Sequence, residues 1–516
     1  MPVLADLDYV IVAFYLLIVV VLCVRVTRRA PDLDELFLAG RSLGPPVIGL
    51  SLFASNISST TLIGLPGAAW EHGISVANYE WMAALVLLFS ALFVAPLFIG
   101  QRLTTVPEML ERRFDARLRK YLSATSLFLS VVLDTAGSLY AGALVLMLFI
   151  PGLELVPTCA ALALFAGLYT TAGGLRAVAY TDVLQALVLL IGSLVLSVLV
   201  FAQFDFSWSQ VTARLEPDHL SLIRPLDDPA LPWLGTLIGL PILGFYYWTM
   251  NQYVAQRLLG ARSAEAAARG ALLAAALKLL PLFLMVLPGA MAAALFSDLE
   301  RADTVFPRMI AEFAPPGLAG LMLAALLAAI MSSVDSTLNS ASTLLMVDFV
   351  QPHRPGMDPQ QLARWGRYST LILMCLAAAW APAIDHFPGL FAYLQQAFAY
   401  VTPPLVAVFA LALCSRRIGA RAAWRGVIAG HLFSAAVFTA AQLGWHQLHF
   451  TIVAGLLFAF SLVAILACQY LPDADRPSAA QLASAAQGQG ARLSRFVRLG
   501  ALLLTLATLA LVVAFW

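Results

Sequence analysis

The run Ala328-Ala-Ile-Met-Ser-Ser-Val-Asp-Ser-Thr-Leu-Asn-Ser-Ala-Ser-Thr343 sets a carboxylate and several hydroxyls behind the apolar stretch 321–330. On a 3.6-residue period Ser332, Asp335, Ser336, Asn339 and Thr343 share one face, with Val334, Leu338, Ala341 and Leu345 opposite. Such groups at membrane depth are costly unless they line a cavity or bind something. Oxygen-only donors of this kind suit a hard cation such as sodium. A packing seam of small residues accounts for the serines equally well. It does not account for Asp335, so this helix is expected to bind something.

Two further stretches have the composition of interrupted helices. One is Ser55-Asn-Ile-Ser-Ser-Thr-Thr61, followed by Gly64, Pro66 and Gly67; the other holds Pro241, Gly244 and Tyr246-Tyr-Trp-Thr-Met-Asn-Gln252. A single Gly/Pro kink would mean little. Broken helices at matching places in two halves point to a midplane site in an inverted-repeat transporter, because unwound backbone frees carbonyls for a cation.

Composition sets the frame that positions these residues. With 61% hydrophobic and 11% charged residues and a mean hydropathy of +0.86, the chain does not read as a soluble globule. A net charge of +1 gives no sign of nucleic-acid binding, and Cys23, Cys159, Cys375, Cys414 and Cys468 show neither metal spacing nor a disulfide framework. Fourteen segments are long enough to span a bilayer: 8–26, 45–70, 77–100, 121–150, 155–172, 178–203, 233–256, 267–296, 316–350, 363–382, 388–414, 422–444, 448–470 and 497–516. Asp6 and Asp8 precede the first, which therefore reads as a span and not as a cleaved signal.

Basic residues collect in alternate loops: around Arg25, Arg28, Arg29 and Arg41, from Arg102 to Lys120, at Arg176, and at Arg257, Arg262 and Arg269. They recur at Arg354, Arg364 and Arg367, from Arg416 to Arg425, and from Arg476 through Arg492 to Arg498. The positive-inside rule then places those loops in the cytoplasm and both termini outside, in a multi-pass plasma (inner) membrane protein. No nucleotide-binding glycine loop or Cys/His metal set is present, so an ion gradient is the expected energy source. No output domain follows Trp516, which disfavours a sensor.

In its motifs the chain resembles the sodium/solute symporter family, most closely the sodium/glucose cotransporter branch. The resemblance rests on Ser51-Leu-Phe-Ala-Ser-Asn-Ile57, Tyr79-Glu-Trp81, Gly173-Gly-Leu175, Tyr180-Thr-Asp-Val-Leu-Gln185, Tyr246-Tyr-Trp248, Asn251-Gln252 and Gln256-Arg257. It continues through Leu277-Lys-Leu279, Leu287-Pro-Gly289, Met331-Ser-Ser333, Asn339-Ser-Ala-Ser-Thr343 and Pro403-Pro404, covering roughly residues 40–440. It implies an all-α polytopic protein with a leucine-transporter-type inverted repeat of 5+5 helices and alternating access. The repeats fall at 45–203 and 233–414. Residues 1–44 supply a first helix and cytoplasmic loop, 204–232 an extracellular loop, and 415–516 three C-terminal helices.

By the same resemblance, sodium would be held by carbonyls of Ala54, Ile57 and Ala329 and hydroxyls of Ser332 and Ser333. A sugar or polyol would meet Asn56, Glu80, Tyr247, Trp248, Lys278 and Gln395. The chemistry of these side chains fits a polyhydroxyl ligand: Glu80 accepts, Lys278 donates, Gln395 does both and Tyr247 offers a stacking face. A purely structural Glu80–Lys278 ion pair is the competing account. Thr61 and Gly244 are smaller than the branch's usual residues, which leaves inositol-like polyols or another solute open. Asp335 stands where relatives present a hydroxyl, and with Asp182 and Ser336 it suggests a second cation. Asp134 is a further intramembrane acid without an assigned role. The resulting expectation is a sodium-coupled sugar or polyol symporter, not an enzyme and with no organic cofactor. Its partners would be a small solute, sodium and the lipid bilayer, without nucleic acid. The alternatives are a sodium-coupled symporter of a carboxylate or other small organic solute, and a non-concentrating solute sensor or leak.

Overall fold

The protein is described here from a computed structural model covering residues 4–26, 33–386, 390–486 and 493–515. Arg28, Arg29, Arg492, Trp516 and the first residues of segment 388–414 lie outside them. The chain is helical throughout, and β-structure among the described residues is limited to isolated bridges joining Leu43 to Ala261 and Arg224 to Pro232.

Among the described residues, nine helices are long and apolar enough to cross a membrane, or eleven if each of two bent pairs is one span. The first bent pair joins α2 (Pro45–Asn56) to α3 (Ser59–His72) after α1 (Asp6–Val26). Next come α4 (Ile74–Gly100), α5 (Ala116–Met147), the short α6 (Leu155–Leu168) and α7 (Gly174–Ala202). The seventh expected span is two pieces, α8 (Trp233–Phe245) and α9 (Gln252–Leu259). They are followed by α10 (Ala264–Leu295), α11 (Leu318–His353) and α12 (Pro359–Asp385). The second bent pair is α13 (Leu390–Val401) and α14 (Pro403–Cys414), and the chain closes with α15 (Ala420–Gln442), α16 (Phe450–Cys468) and α17 (Arg495–Ala514).

Among the described residues each of the fourteen expected segments falls mainly on helix, yet three fall short of spanning by length and composition. The α6 helix is short, the seventh segment is cut in two, and α15 dilutes its apolar run with Arg421, Arg425 and His431. Two boundaries follow directly from residue chemistry. Gly174, at φ 58°, separates α6 from α7 in a backbone conformation that costs glycine little. Prolines at the first turns of α2 and α14 start helices where a missing N–H does no harm.

The centre of the bundle is α11. It packs against α1, α2, α5, α7, α9 and α12, and nearly every residue from Ala319 to Leu344 is buried. The sequence reading gave this helix a polar face and an apolar face; both are buried, because neighbours surround it on all sides.

Close backbone approach brings α3 against α10. A Cβ on Gly289 would stand 2.3 Å from the Pro66 carbonyl oxygen, whereas one on Gly44 would meet nothing within 4 Å. Gly289→Ala should therefore lower thermal stability in detergent by about 1–3 kcal/mol through overpacking, with Gly44→Ala close to wild type. Equal melting temperatures for the two variants would contradict this packing.

Candidate functional site

The site is built at the break between α2 and α3. Helix α2 stops because the Ser58 amide donates to Asn56 O, two residues back instead of four, while the Ser58 hydroxyl caps α3 by accepting from the Thr61 amide. The last carbonyls of α2 are thus released from helical bonding. Ser333 of α11 donates to Ser55 O at 3.5 Å, and the Ser55 and Ser336 hydroxyls lie 3.4 Å apart. Ala54, Ile57, Ala329 and Ser332 are fully buried and Ser333 nearly so. A carbonyl at the end of the broken helix and a hydroxyl of α11 therefore meet, Ser55 O with Ser333.

Beside it stands a fully buried charge cluster. Asp182 of α7 accepts from Ser51 at 2.5 Å, from Ser332 at 2.6 Å and from the Arg257 guanidinium at 2.8 Å. Arg257 also donates to Ser51 and Ser336, each at 2.5 Å, and to the Tyr253 carbonyl. Ser336 in turn donates to Asp335 at 3.2 Å. A guanidinium thus occupies the place between Asp182 and Ser336 where a second cation was expected. The sequence reading counted Arg257 with the loop arginines; it is 1% exposed inside α9 and does not belong to that tally.

A cavity of about 140 Å³ opens on the same break. Asn56, Glu80, Tyr247, Trp248 and Gln395 line it, together with Thr61, Tyr79, Asp134, Gly244 and Ser333. Ser333 thus borders both the cavity and the Ser55 carbonyl at the end of α2. Lys278 lies behind this wall: fully buried at the C-terminal end of the first half of α10, it donates to Asn56 and Glu80. Its ammonium sits 5.0 Å from the Trp248 ring centroid and 5.9 Å from that of Phe53, a cation–π geometry. The Glu80–Lys278 ion pair is therefore formed, and Lys278 acts on the cavity through its partners.

The break between α8 and α9 supplies the aromatic wall. A π-helical turn, Tyr246–Met250, ends at Asn251, whose side chain caps α9 by accepting from the Tyr253 amide. The Tyr247 hydroxyl accepts from Asn56 Nδ2 at 3.1 Å and from the Tyr253 hydroxyl, which leaves its own proton free for a ligand. Tyr79, hydrogen-bonded to Gln395, also lines a second cavity of about 360 Å³ with Glu71, His72, Arg301, Asp303 and His449. In that outer cavity burial pushes the Asp303 carboxyl up, and Arg301 draws it part of the way back. Tyr253, Tyr79 and Asp134 were not foreseen as cavity residues, since no spacing ties them to Glu80 or Gln395.

Residues 36–430 match the family described as Sodium:solute symporter family. The chain is 32% identical to Sodium/glucose cotransporter 1 of Ovis aries, over 90% of this chain and 78% of the relative. It is 34% identical to Sodium/myo-inositol cotransporter 2 of Oryctolagus cuniculus, over 83% of this chain and 68% of the relative. These relatives are transport proteins, not enzymes. Among solved structures, a Na+-coupled sialic acid symporter in a substrate-bound outward-open state superposes with a TM-score of 0.82, at 22% identity and over 92% of this chain and 99% of that one. A nucleobase-cation-symport-1 family transporter gives 0.54 at 14% identity, over 92% and 99%. The last two comparisons show the shared fold.

The Arg257–Asp182 pair yields a test of its own. Arg257→Met leaves Asp182 buried and uncompensated, so stability should fall by about 3–5 kcal/mol. Arg257→Met/Asp182→Asn should recover much of that loss in a detergent melting assay. A double mutant as unstable as the single one would show that the pair is not what holds the cluster together.

Proposed function

The chain belongs to the sodium:solute symporter family, and from that premise we propose a sodium-coupled secondary symporter that imports a sugar or sugar-like polyol by alternating access. The observation that carries this reading is the junction at Ser333, which borders both the polar cavity and the freed backbone of α2. Sodium is assigned to the carbonyls of Ala54, Ile57 and Ala329 and the hydroxyls of Ser332 and Ser333. Neutral oxygens suffice for a monovalent hard cation that must leave again. The solute is assigned to Asn56, Glu80, Tyr247, Trp248 and Gln395, with Lys278 holding Asn56 and Glu80 in place.

The coupling follows from geometry. Sodium drawn between α2 and α11 fixes the end of α2, and with it Asn56 and the cavity wall; a ligand that needs that wall then binds more tightly. Because Arg257 already satisfies Asp182 and Ser336, one sodium per solute is the proposed stoichiometry. Relatives named for glucose and myo-inositol support a polyol. A carboxylate solute is disfavoured, since Lys278 is already engaged by Glu80 and Asp134 lines the same cavity. Fourteen spans, repeats at 45–203 and 233–414, and both termini outside complete the proposed architecture.

One sodium crossing about 100 mV supplies roughly 2.3 kcal/mol, and a tenfold sodium gradient adds about 1.4 kcal/mol. Proteoliposomes should therefore concentrate a neutral solute on the order of several hundred-fold, and lose this when choline replaces sodium. Ser333→Ala should raise the half-saturating sodium concentration roughly fivefold through loss of one ligand while leaving the order of preferred solutes intact. Concentrative uptake that is indifferent to sodium would sink the proposal.

A second test separates the two accounts of Glu80 and Lys278. Glu80→Gln/Lys278→Met removes both charges together, so folding should survive while the apparent KM for solute rises about tenfold or more. An unchanged KM in that double mutant would reduce the pair to a structural role.

A further inference from the structure

Of the two carboxylates among the described residues that line the cavity, Glu80 and Asp134, the proposed mechanism gives Asp134 no task. It sits in a π-helical turn of α5, Leu129–Thr135, an irregularity that redirects side chains and recurs at functional sites. That turn is fixed from behind: the Thr135 hydroxyl donates to Ser130 O and meets the Thr337 hydroxyl of α11, both at 2.7 Å. The carboxylate lines the cavity. Its Oδ2 is buried without a hydrogen-bond partner among the described residues. The Asn251 side chain is hydrogen-bonded to Asp134, while its carbonyl oxygen turns to the Tyr253 amide, so Asn251 brings a neutral amide and no charge.

The charges around the cavity leave Asp134 unbalanced. Glu80 is matched by Lys278, and Asp182 is matched by Arg257, whose remaining donors go to Ser51, Ser336 and the Tyr253 carbonyl. The charged residues lining the cavity are Glu80 and Asp134, both acids. A buried carboxylate in its charged form is costly, and a partner that supplies both a hydrogen bond and a positive charge offsets that cost. A neutral hydroxyl supplies only the first.

We propose that Asp134 is a specificity-determining residue that accepts from a protonated amine of the solute, so that the substrate class is an amino sugar or amino polyol. The inference rests on the symporter reading and narrows its substrate. The polyol framework would be held by Glu80, Gln395 and Tyr247, and the amine by Asp134 across the cavity.

The test measures initial uptake of labelled glucosamine and an amino-inositol beside glucose and myo-inositol, in proteoliposomes under a sodium gradient at a pH where the amines are protonated. Wild type should prefer the amine-bearing solute over its neutral parent by about tenfold or more, as a charge-assisted hydrogen bond predicts. Asp134→Asn should bring that ratio close to one, and Asp134→Glu should keep the preference. Sodium-driven uptake of the neutral parents at equal or higher rates in wild type overturns the inference and leaves the symporter reading standing. A preference that persists in Asp134→Asn also overturns it. Absence of sodium-driven uptake for all four solutes overturns both.

Discussion

A charge inside a membrane protein has to be matched where it stands, and this requirement organises the structure. Arg257 is 1% exposed and Asp182 is fully buried, 2.8 Å apart, with Ser51, Ser332 and Ser336 completing their hydrogen bonds. That one pair ties together α2, α7, α9 and α11, which are distant in sequence. Lys278 and Glu80 do the same for α10 and α4. Towards one end of the bundle, Asp348 of α11 is bonded to Arg119, Thr105 and Ser123. Removing one partner from any of these leaves an uncompensated buried ion, which costs more than the intact pair contributes.

With Asp182 matched by Arg257 and Glu80 by Lys278, the proposed sodium position is left to carbonyl and hydroxyl oxygens. Strong charge there would hold the ion and prevent release, whereas carbonyls and hydroxyls at the end of a broken helix offer a modest, adjustable site. The same break shapes the solute cavity, because Asn56 is the last residue of α2 and bonds both Tyr247 and Lys278. In the proposed mechanism ion and solute therefore act on one piece of backbone. Coupling of this kind needs no long pathway, only a shared element with two arrangements.

Much of this was legible in the sequence. The break at Ser55–Thr61 was marked by its run of hydroxyls before Gly64 and Pro66, and that at Tyr246–Gln252 by Pro241 and Gly244. The acid in α11 stood out because Asp335 follows an apolar stretch. What was not legible was which ions meet. Arg257 looked like one more arginine of a basic loop, since nothing in its neighbours reveals that α9 is buried on every side. Asp134 was visible as an intramembrane acid, but its approach to Glu80 and Gln395 depends on a π-helical turn and on three helices far apart in the chain. The span count was blurred for a related reason: α6, α8 with α9, and α15 are too short, interrupted or polar to meet a hydropathy criterion singly.

The central claim is that one sodium and one solute share the end of α2. Linkage makes this measurable in the purified protein without any gradient. Dissociation constants for sodium should be determined with and without the transported solute, and for the solute with sodium and with choline. The account predicts that sodium tightens solute binding, and that solute tightens sodium binding by the same factor. Solute binding that is equally tight in choline would contradict it.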